Sequence, residues 1–344
     1  MKAAVSLDDL VARGLVDEAE APALLPVEQS FRIRVSGAME AAIWAPDDAV
    51  ARQFIPSVQE LDIKPDEMDD PIGDEVHSPV KGLTHRYPDR VILHVTKTCE
   101  VYCRFCFRRE AVGDEGHLSQ AEVIAALDYV AVNPAIREVI LTGGDPLVLS
   151  ARRIKDLVAR VAAIPSVETL RIHTRVPVVA PERVTGDLVV ALESRLTTVL
   201  VLHTNHAQEF TDAARAGLRA LSGAGIMLLS QSVLLRGVND SLPALENLFR
   251  ELMRNGVKPY YLHHCDLARG VSHFRTTIAE GVALMRGLRG QLAGPLLPTY
   301  VIDIPGGFGK VPINPDYVVA GDAAREWRIT DWRGGVHSYR DPET

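Results

Sequence analysis

An α/β fold, built as a partial (β/α)6 barrel with a helical extension ahead of it, is what this 344-residue sequence predicts. Three observations carry the prediction. From about residue 91 onward, short β-rich runs alternate with segments of helical period, as in β/α units around a parallel sheet. The residues suited to chemistry fall just after those runs, where parallel β/α folds gather their ligands. The first 85 residues lack the alternation altogether.

Helical stretches near 7–16 and 47–54 precede an acidic, turn-rich connector at 66–75. Residues 1–85 therefore read as a helical extension that packs on the barrel, its apolar stripes serving packing. The predicted strands are 91–96, 138–142, 169–174, 198–204, 226–231, 259–264 and 300–304. Between them fall helices at 121–132, 152–163, 182–193, 209–221, 242–255 and 278–292, the first opening on a capping box of Ser119 with Glu122. Six or so repeats across 86–311 make an open barrel, since closure takes eight. Residues 312–344, with Trp327, Trp332 and the pair Gly334 and Gly335, show no repeat and no legible motif.

Composition sets the class. The chain is 47% hydrophobic and 24% charged, ordinary for a soluble globular protein. A net charge of -8 argues against a nucleic-acid footprint or an anionic-membrane surface, so a small-molecule substrate is expected. No apolar leader opens the sequence and no apolar run approaches a membrane span. A cytoplasmic location is expected, a compartment that keeps thiols reduced.

Three of the four cysteines lie within eight residues, Cys99, Cys103 and Cys106. A C-x3-C-x2-C run puts three thiolates on one loop, which suits an iron-sulfur cluster with one iron left open to a ligand. Structural zinc requires four ligands, usually as two knuckles, and no second C-x2-C pair exists. Farther on, Gly143, Gly144, Asp145 and Pro146 end an apolar run. Glycines let backbone approach a ligand closely, although alone these four residues would equally serve an ordinary turn.

Together the two motifs resemble those of the radical S-adenosylmethionine (SAM) enzymes. The resemblance implies that Cys99, Cys103 and Cys106 hold a 4Fe-4S cluster whose open iron binds SAM, and that Gly143, Gly144 and Asp145 hold its methionine ammonium. It adds Gln231 as a SAM contact and His173 as a further cofactor-side residue. The run from His85 to Arg90 and the run from Asp303 to Lys310 narrow the resemblance to lysine 2,3-aminomutases, over roughly 70–311. Lys310 then matches the lysine that binds pyridoxal 5′-phosphate (PLP) as a Schiff base. A glycine-rich approach suits a lysine that must reach the cofactor and later yield it, though such a lysine, taken alone, is as readily a solvated loop residue.

Arg86 and Arg90 match the contacts to the PLP phosphate, for which arginine offers a planar fork. Arg108 matches the residue that binds the substrate carboxylate, with Arg104 and Arg109 as support for the cysteine loop. Asp266 and Asp303 match the carboxylates that hold the distal ammonium of lysine. An acidic pair strands an acidic side chain without a partner, so L-lysine is expected ahead of glutamate, the nearest competitor. The implied reaction moves the amino group from C2 to C3 after a deoxyadenosyl radical takes hydrogen from C3. A reductant such as flavodoxin or ferredoxin and a possible homo-oligomer complete the implied partners, with no nucleic acid and no membrane.

One departure is informative. Longer members carry a cysteine after the Val-Asn-Asp stretch and a cysteine cluster in a C-terminal extension; here Ser241 follows Asp240 and no cysteine follows Cys265. No structural zinc is expected, and the zinc-bridged oligomer is not carried over. The short form resembles aminomutases that make (R)-β-lysine for elongation factor P. Two other readings stand beside these: a radical SAM enzyme acting without PLP on a protein-bound or RNA-bound residue, and an iron-sulfur electron carrier. The carrier would normally supply a fourth ligand and would have no use for Lys310 or the aspartate pair.

Overall fold

The computed structural model describes residues 2–113 and 116–343. Nine strands form one sheet in chain order: β1 Leu83–Tyr87, β2 Arg90–Thr96, β3 Glu138–Gly143, β4 Thr169–Thr174, β5 Thr197–His203, β6 Met227–Leu234, β7 Lys258–His264, β8 Thr299–Asp303 and β9 Lys310–Pro312. β2 through β8 run parallel, with Leu93 opposite Leu141 and Leu141 opposite Ile172, while β1 and β9 flank them antiparallel. All seven predicted strands are present, each end within three residues of its expected place. β1 and β9 pair only inward, so the barrel is open along one seam. These two edges were not predicted.

Each parallel strand is two-faced because side chains alternate along it. In β4, Leu170 and Ile172 are buried in the apolar core, whereas Arg171 and His173 face the cavity at the sheet's other side. The apolar face is covered by the helices. Ahead of the barrel lie α1 Leu7–Ala12, α2 Ala21–Ser30, α3 Gly37–Ala42 and α4 Ala51–Phe54; within it run α5 Gln120–Ala131, α6 Ala151–Ala162, α7 Val176–Val179, α8 Gly186–Ala191, α9 Asp212–Gly223, α10 Leu242–Arg254 and α11 Ile278–Leu288. The capping box of Ser119 and Glu122 opens α5 as expected. The helix expected at 182–193 is present but shorter, as α8, and ahead of it stand α7 and a 3-10 turn Pro181–Arg183 that were not expected. Pro177 and Pro181 each sit in a first turn, the only helical place that tolerates a missing amide and a fixed φ.

Leu10, Val27, Phe31, Met39 and Phe54 of the leading helices share one buried cluster with Leu93, Leu141 and Ile172 of the barrel. A 3-10 turn Val58–Leu61 follows, and then a strap, 66–78, that crosses the loops after β7 and β8. Met68 donates to the Leu267 carbonyl at 2.7 Å, and Gly306 donates to that of Pro71 at 2.9 Å. Gly73 has a φ of +64°, and a Cβ there would lie 2.8 Å from the Gly307 Cα, so only glycine lets the strap lie this close. At the other end, β10 Val318–Ala320, β11 Glu326–Thr330 and β12 Val336–Arg340 form a separate antiparallel sheet in the segment where no motif was legible. Among the described residues no helix is long and apolar enough to cross a membrane.

Candidate active site

Beyond the carboxyl ends of the strands lies a cavity of about 520 Å³, and all fourteen residues singled out in the sequence line it. They arrive from separate elements. The cysteines occupy the loop after β2, Gly143 to Asp145 end β3, His173 sits on β4, Gln231 on β6, Asp266 follows β7, and Asp303 and Lys310 flank the turn from β8 to β9.

The cysteine loop is clamped from below by charge. Arg104, 1% exposed, grips Glu60 through Nε at 2.9 Å and Nη2 at 2.6 Å, and Arg109 Nη2 reaches the same carboxylate at 2.5 Å. Burial raises the Glu60 carboxyl, but the two guanidiniums outweigh it and hold it ionised. Arg104 and Arg109 thus support the loop, as expected; Glu60, their partner, was not foreseen. Arg175 Nη1 donates to the Cys103 sulfur at 3.0 Å, and its Nη2 to Glu209 at 2.5 Å. Burial, reinforced by the charge on Cys103, pushes the Cys106 thiol up to about 11. Such thiols give up their protons to a metal. Among the described residues no three His, Cys, Asp or Glu side chains converge on a single ion. Three separated thiols on one rim suit a polynuclear cluster, in which each binds a different iron.

The glycines at the end of β3 serve the protein's own backbone. A Cβ on Gly143 would lie 2.3 Å from the Thr96 carbonyl oxygen, and one on Gly144 would lie 2.2 Å from that of Thr98. The Gly144 amide donates to Thr96 at 2.5 Å and the Asp145 amide to Thr98 at 2.9 Å, which stitches the β3 end to the cysteine loop. Asp145, which lines the cavity, also has partners of its own. Its buried carboxylate already accepts from Thr174 Oγ1 at 2.7 Å and from the amides of Arg175 at 2.7 Å, Leu147 at 3.0 Å and Val176 at 3.2 Å. It therefore joins the ends of β3 and β4, leaving little capacity for an added ammonium.

Lys310 Nζ pairs with Asp303 at 3.3 Å and lies 5.5 Å from the centre of the Tyr261 ring. His263 Nδ1 donates to Asp303 at 3.0 Å. Burial alone would raise Asp303, but the His263 hydrogen bond and the Lys310 charge win and hold it at about 2. Asp266 stands differently. Among the described residues it has no hydrogen bond or ion pair, and burial, with the neighbouring charge of Asp303, pushes it up to about 7. Every cavity cation, by contrast, has an acid: Arg86 and Arg108 share Asp74, Arg90 has Asp89, Arg171 has Glu138, Arg175 has Glu209 and Lys310 has Asp303.

Arg90 also covers the Tyr87 ring at 3.9 Å, and Tyr87 accepts the Lys310 amide at 3.0 Å, a clasp across the open seam. Arg86 keeps a buried Nε with no partner among the described residues. His173 and His203 meet at 3.2 Å; burial and then the nearby positive charges hold His203 down at about 3, so this pair is neutral. Glu60 and Glu209 went unnoticed in the sequence, and the pairings of Asp74 and His263 were not foreseen, because these roles arise only from contacts distant along the chain.

Residues 93–249 match the Radical SAM superfamily model, and 285–344 match that of Lysine-2,3-aminomutase. The L-lysine 2,3-aminomutase of Fusobacterium nucleatum is 40% identical over 295 residues, covering 86% of this chain and 69% of that protein. That of Clostridium subterminale is 40% identical over 298 residues, covering 86% and 71%. The glutamate 2,3-aminomutase of Clostridioides difficile is 35% identical over 295 residues, covering 86% and 69%. The likeness reaches through 312–344, well past residue 311 where the sequence motifs ended.

Proposed function

This chain belongs to the lysine 2,3-aminomutase family of the radical SAM superfamily, a family of isomerases, and we propose that it converts L-lysine to β-lysine by moving the amino group from C2 to C3. The observation that carries the reading is Asp266, a half-buried carboxylate without a cation, beside Asp303 in the cavity that holds Lys310. An acid so placed is a site for an incoming ammonium.

Cys99, Cys103 and Cys106 would hold the cluster, and Lys310 with Arg86 and Arg90 would hold PLP; the orphaned Arg86 Nε fits an added anion. When bound, the cluster with SAM supplies a carbon-centred oxidant, and PLP supplies a π system that delocalises an unpaired electron. The chain's own residues do the rest. Arg108 offers its terminal nitrogens to the substrate carboxylate, since its Nε alone is bound to Asp74. Lys310 must release Asp303 to engage a cofactor, and the ε-ammonium of lysine then takes the vacated charge, with Asp266 as second partner. Until lysine arrives Asp303 keeps its hydrogen bond from His263, and the ε-ammonium then restores the cation that Lys310 withdrew. Glutamate would bring a third negative charge to this pair, which favours lysine over the substrate of the Clostridioides relative.

The test is anaerobic reconstitution with iron, sulfide, PLP, SAM and a reductant, with L-lysine and L-glutamate offered in parallel. β-Lysine should form and β-glutamate should not, and Lys310→Ala should lose both turnover and the visible absorbance of bound PLP. Absence of β-lysine, or an unchanged absorbance in Lys310→Ala, overturns the assignment.

A further inference from the structure

The two arginines that the proposed function gives to anions come from different elements, Arg86 from β1 and Arg108 from the cysteine loop, yet they share one counter-ion. Asp74 Oδ2 accepts from Arg108 Nε at 2.7 Å, and Asp74 Oδ1 stands 3.5 Å from Arg86 Nη2. That same Nη2 donates to the Ile72 carbonyl, two residues earlier in the strap. Asp74 is itself fixed, because the Asp70 carboxylate accepts the amides of Asp74 and Glu75 at 3.0 Å each. The strap in turn is tied to the turn that carries Lys310, through Gly306 to Pro71 at 2.9 Å and His77 Nε2 to the Gly307 carbonyl at 3.0 Å.

Two guanidiniums facing one half-buried cavity repel each other, and a shared carboxylate cancels part of that charge. It fixes the Arg108 plane by a hydrogen bond and holds Arg86 by charge alone, Asp74 Oδ1 having no hydrogen bond among the described residues, while the Ile72 carbonyl fixes the Arg86 edge. The grip is partial. Among the described residues nothing bonds the terminal nitrogens of Arg108, and Arg86 Nε is buried without a partner. The strap therefore holds each fork by one edge and leaves donors open to the cavity.

We propose that Asp74 is a positioning residue that presets Arg86 for the cofactor phosphate and Arg108 for the substrate α-carboxylate, so that one strap carboxylate couples the two anion sites. The inference rests on the function proposed above. Preset forks bind anions without paying for their own ordering, so loss of Asp74 weakens both sites together and leaves the chemical step nearly alone.

The experiment uses reconstituted enzyme carrying Asp74→Asn or Asp74→Glu. PLP affinity is read by absorbance titration without SAM or lysine, and KM and kcat for L-lysine are read at saturating PLP. Asp74→Asn should weaken PLP binding and raise the lysine KM by about tenfold each, the loss expected for one charge-assisted contact, with kcat within about twofold. Asp74→Glu should restore most of both. Unchanged constants in Asp74→Asn overturn the inference, and so do tightened ones, which would make Asp74 a competing anion. If wild-type enzyme binds no PLP, the functional reading falls and this inference with it. If the wild type binds PLP and turns over lysine while Asp74→Asn does both equally well, the inference alone falls. Should Asp74→Asn not fold, Asp70→Asn loosens the strap without breaking a bond to either arginine; because the Asp70 charge also acts on Arg108, the readout is PLP affinity, which must weaken or the inference is wrong.

Discussion

Replacing Asp266 with Asn should stabilise the substrate-free protein while it cripples turnover. The carboxyl titrates at about 7 rather than its ordinary 3.8, a displacement of about three units, and each unit is about 1.4 kcal/mol. The charged form therefore costs the fold at most about 4 kcal/mol, and water at the open cavity reduces this to about 1–2 kcal/mol. The sign follows from which state holds the proton. Below pH 4 both states are protonated and the cost is zero. Between pH 4 and 7 the unfolded chain releases its proton while the folded chain keeps it, so stability falls as pH rises. Above pH 7 the cost is fully present. Thermal unfolding of the reconstituted enzyme without lysine should show Asp266→Asn melting about 1–4 °C higher than wild type at pH 8, with the gap closing by pH 4. In the same preparation, kcat/KM for L-lysine should fall by about 10- to 100-fold, because the ε-ammonium loses a charged partner. The wild-type kcat/KM should also fall about fivefold between pH 7 and pH 6 as Asp266 takes up its proton, and this acid limb should vanish in Asp266→Asn. A variant that melts lower at pH 8, or one that keeps the acid limb, refutes the reasoning.

Two further predictions concern the cysteine loop. Glu60→Gln leaves Arg104 and Arg109 as buried cations without a charge partner, a loss of about 3–5 kcal/mol, so iron per chain and the unfolding midpoint should both drop; unchanged iron content would remove the clamp from the account. Gly144→Ala brings a methyl to 2.2 Å from the Thr98 carbonyl oxygen, and either the β3 end or the cysteine loop must move. A loss of about 2–4 kcal/mol and weakened SAM binding by calorimetry are expected, and native-like values would contradict the stitch.

The parallel strands were legible because most are short apolar or β-branched runs bounded by turn residues, and only their ends shifted by a few residues. β1 and β9 escaped because they are short edges built of functional and polar residues, with Arg86 inside one and Lys310 beginning the other. The leading helices α2 and α3 were missed, and the helix expected at 182–193 starts later, at Gly186 behind its cap Thr185, because residues 181–183 are taken up by a proline-led 3-10 turn. In the site, the motif residues were readable because local spacing encodes a loop or a turn. What spacing could not encode was who pairs with whom. Asp145 reads as a ligand contact, and its bonds to the β4 end were not readable beside that; Asp303 reads as one of an equivalent pair but is already joined to Lys310 and His263. Those distinctions depend on partners far away in the chain.

Because every strand of the large sheet pairs with its immediate neighbour in sequence, the sheet is assembled in the order in which the ribosome delivers it. The cysteine loop and the glycine turn emerge early, with β2 and β3, and Lys310 arrives last, on β9. A nascent chain therefore completes the walls around its thiols well before it acquires the amine that closes the far side of the cavity, and a chain cut short after β7 would be born with its cysteine loop and without Lys310 across from it.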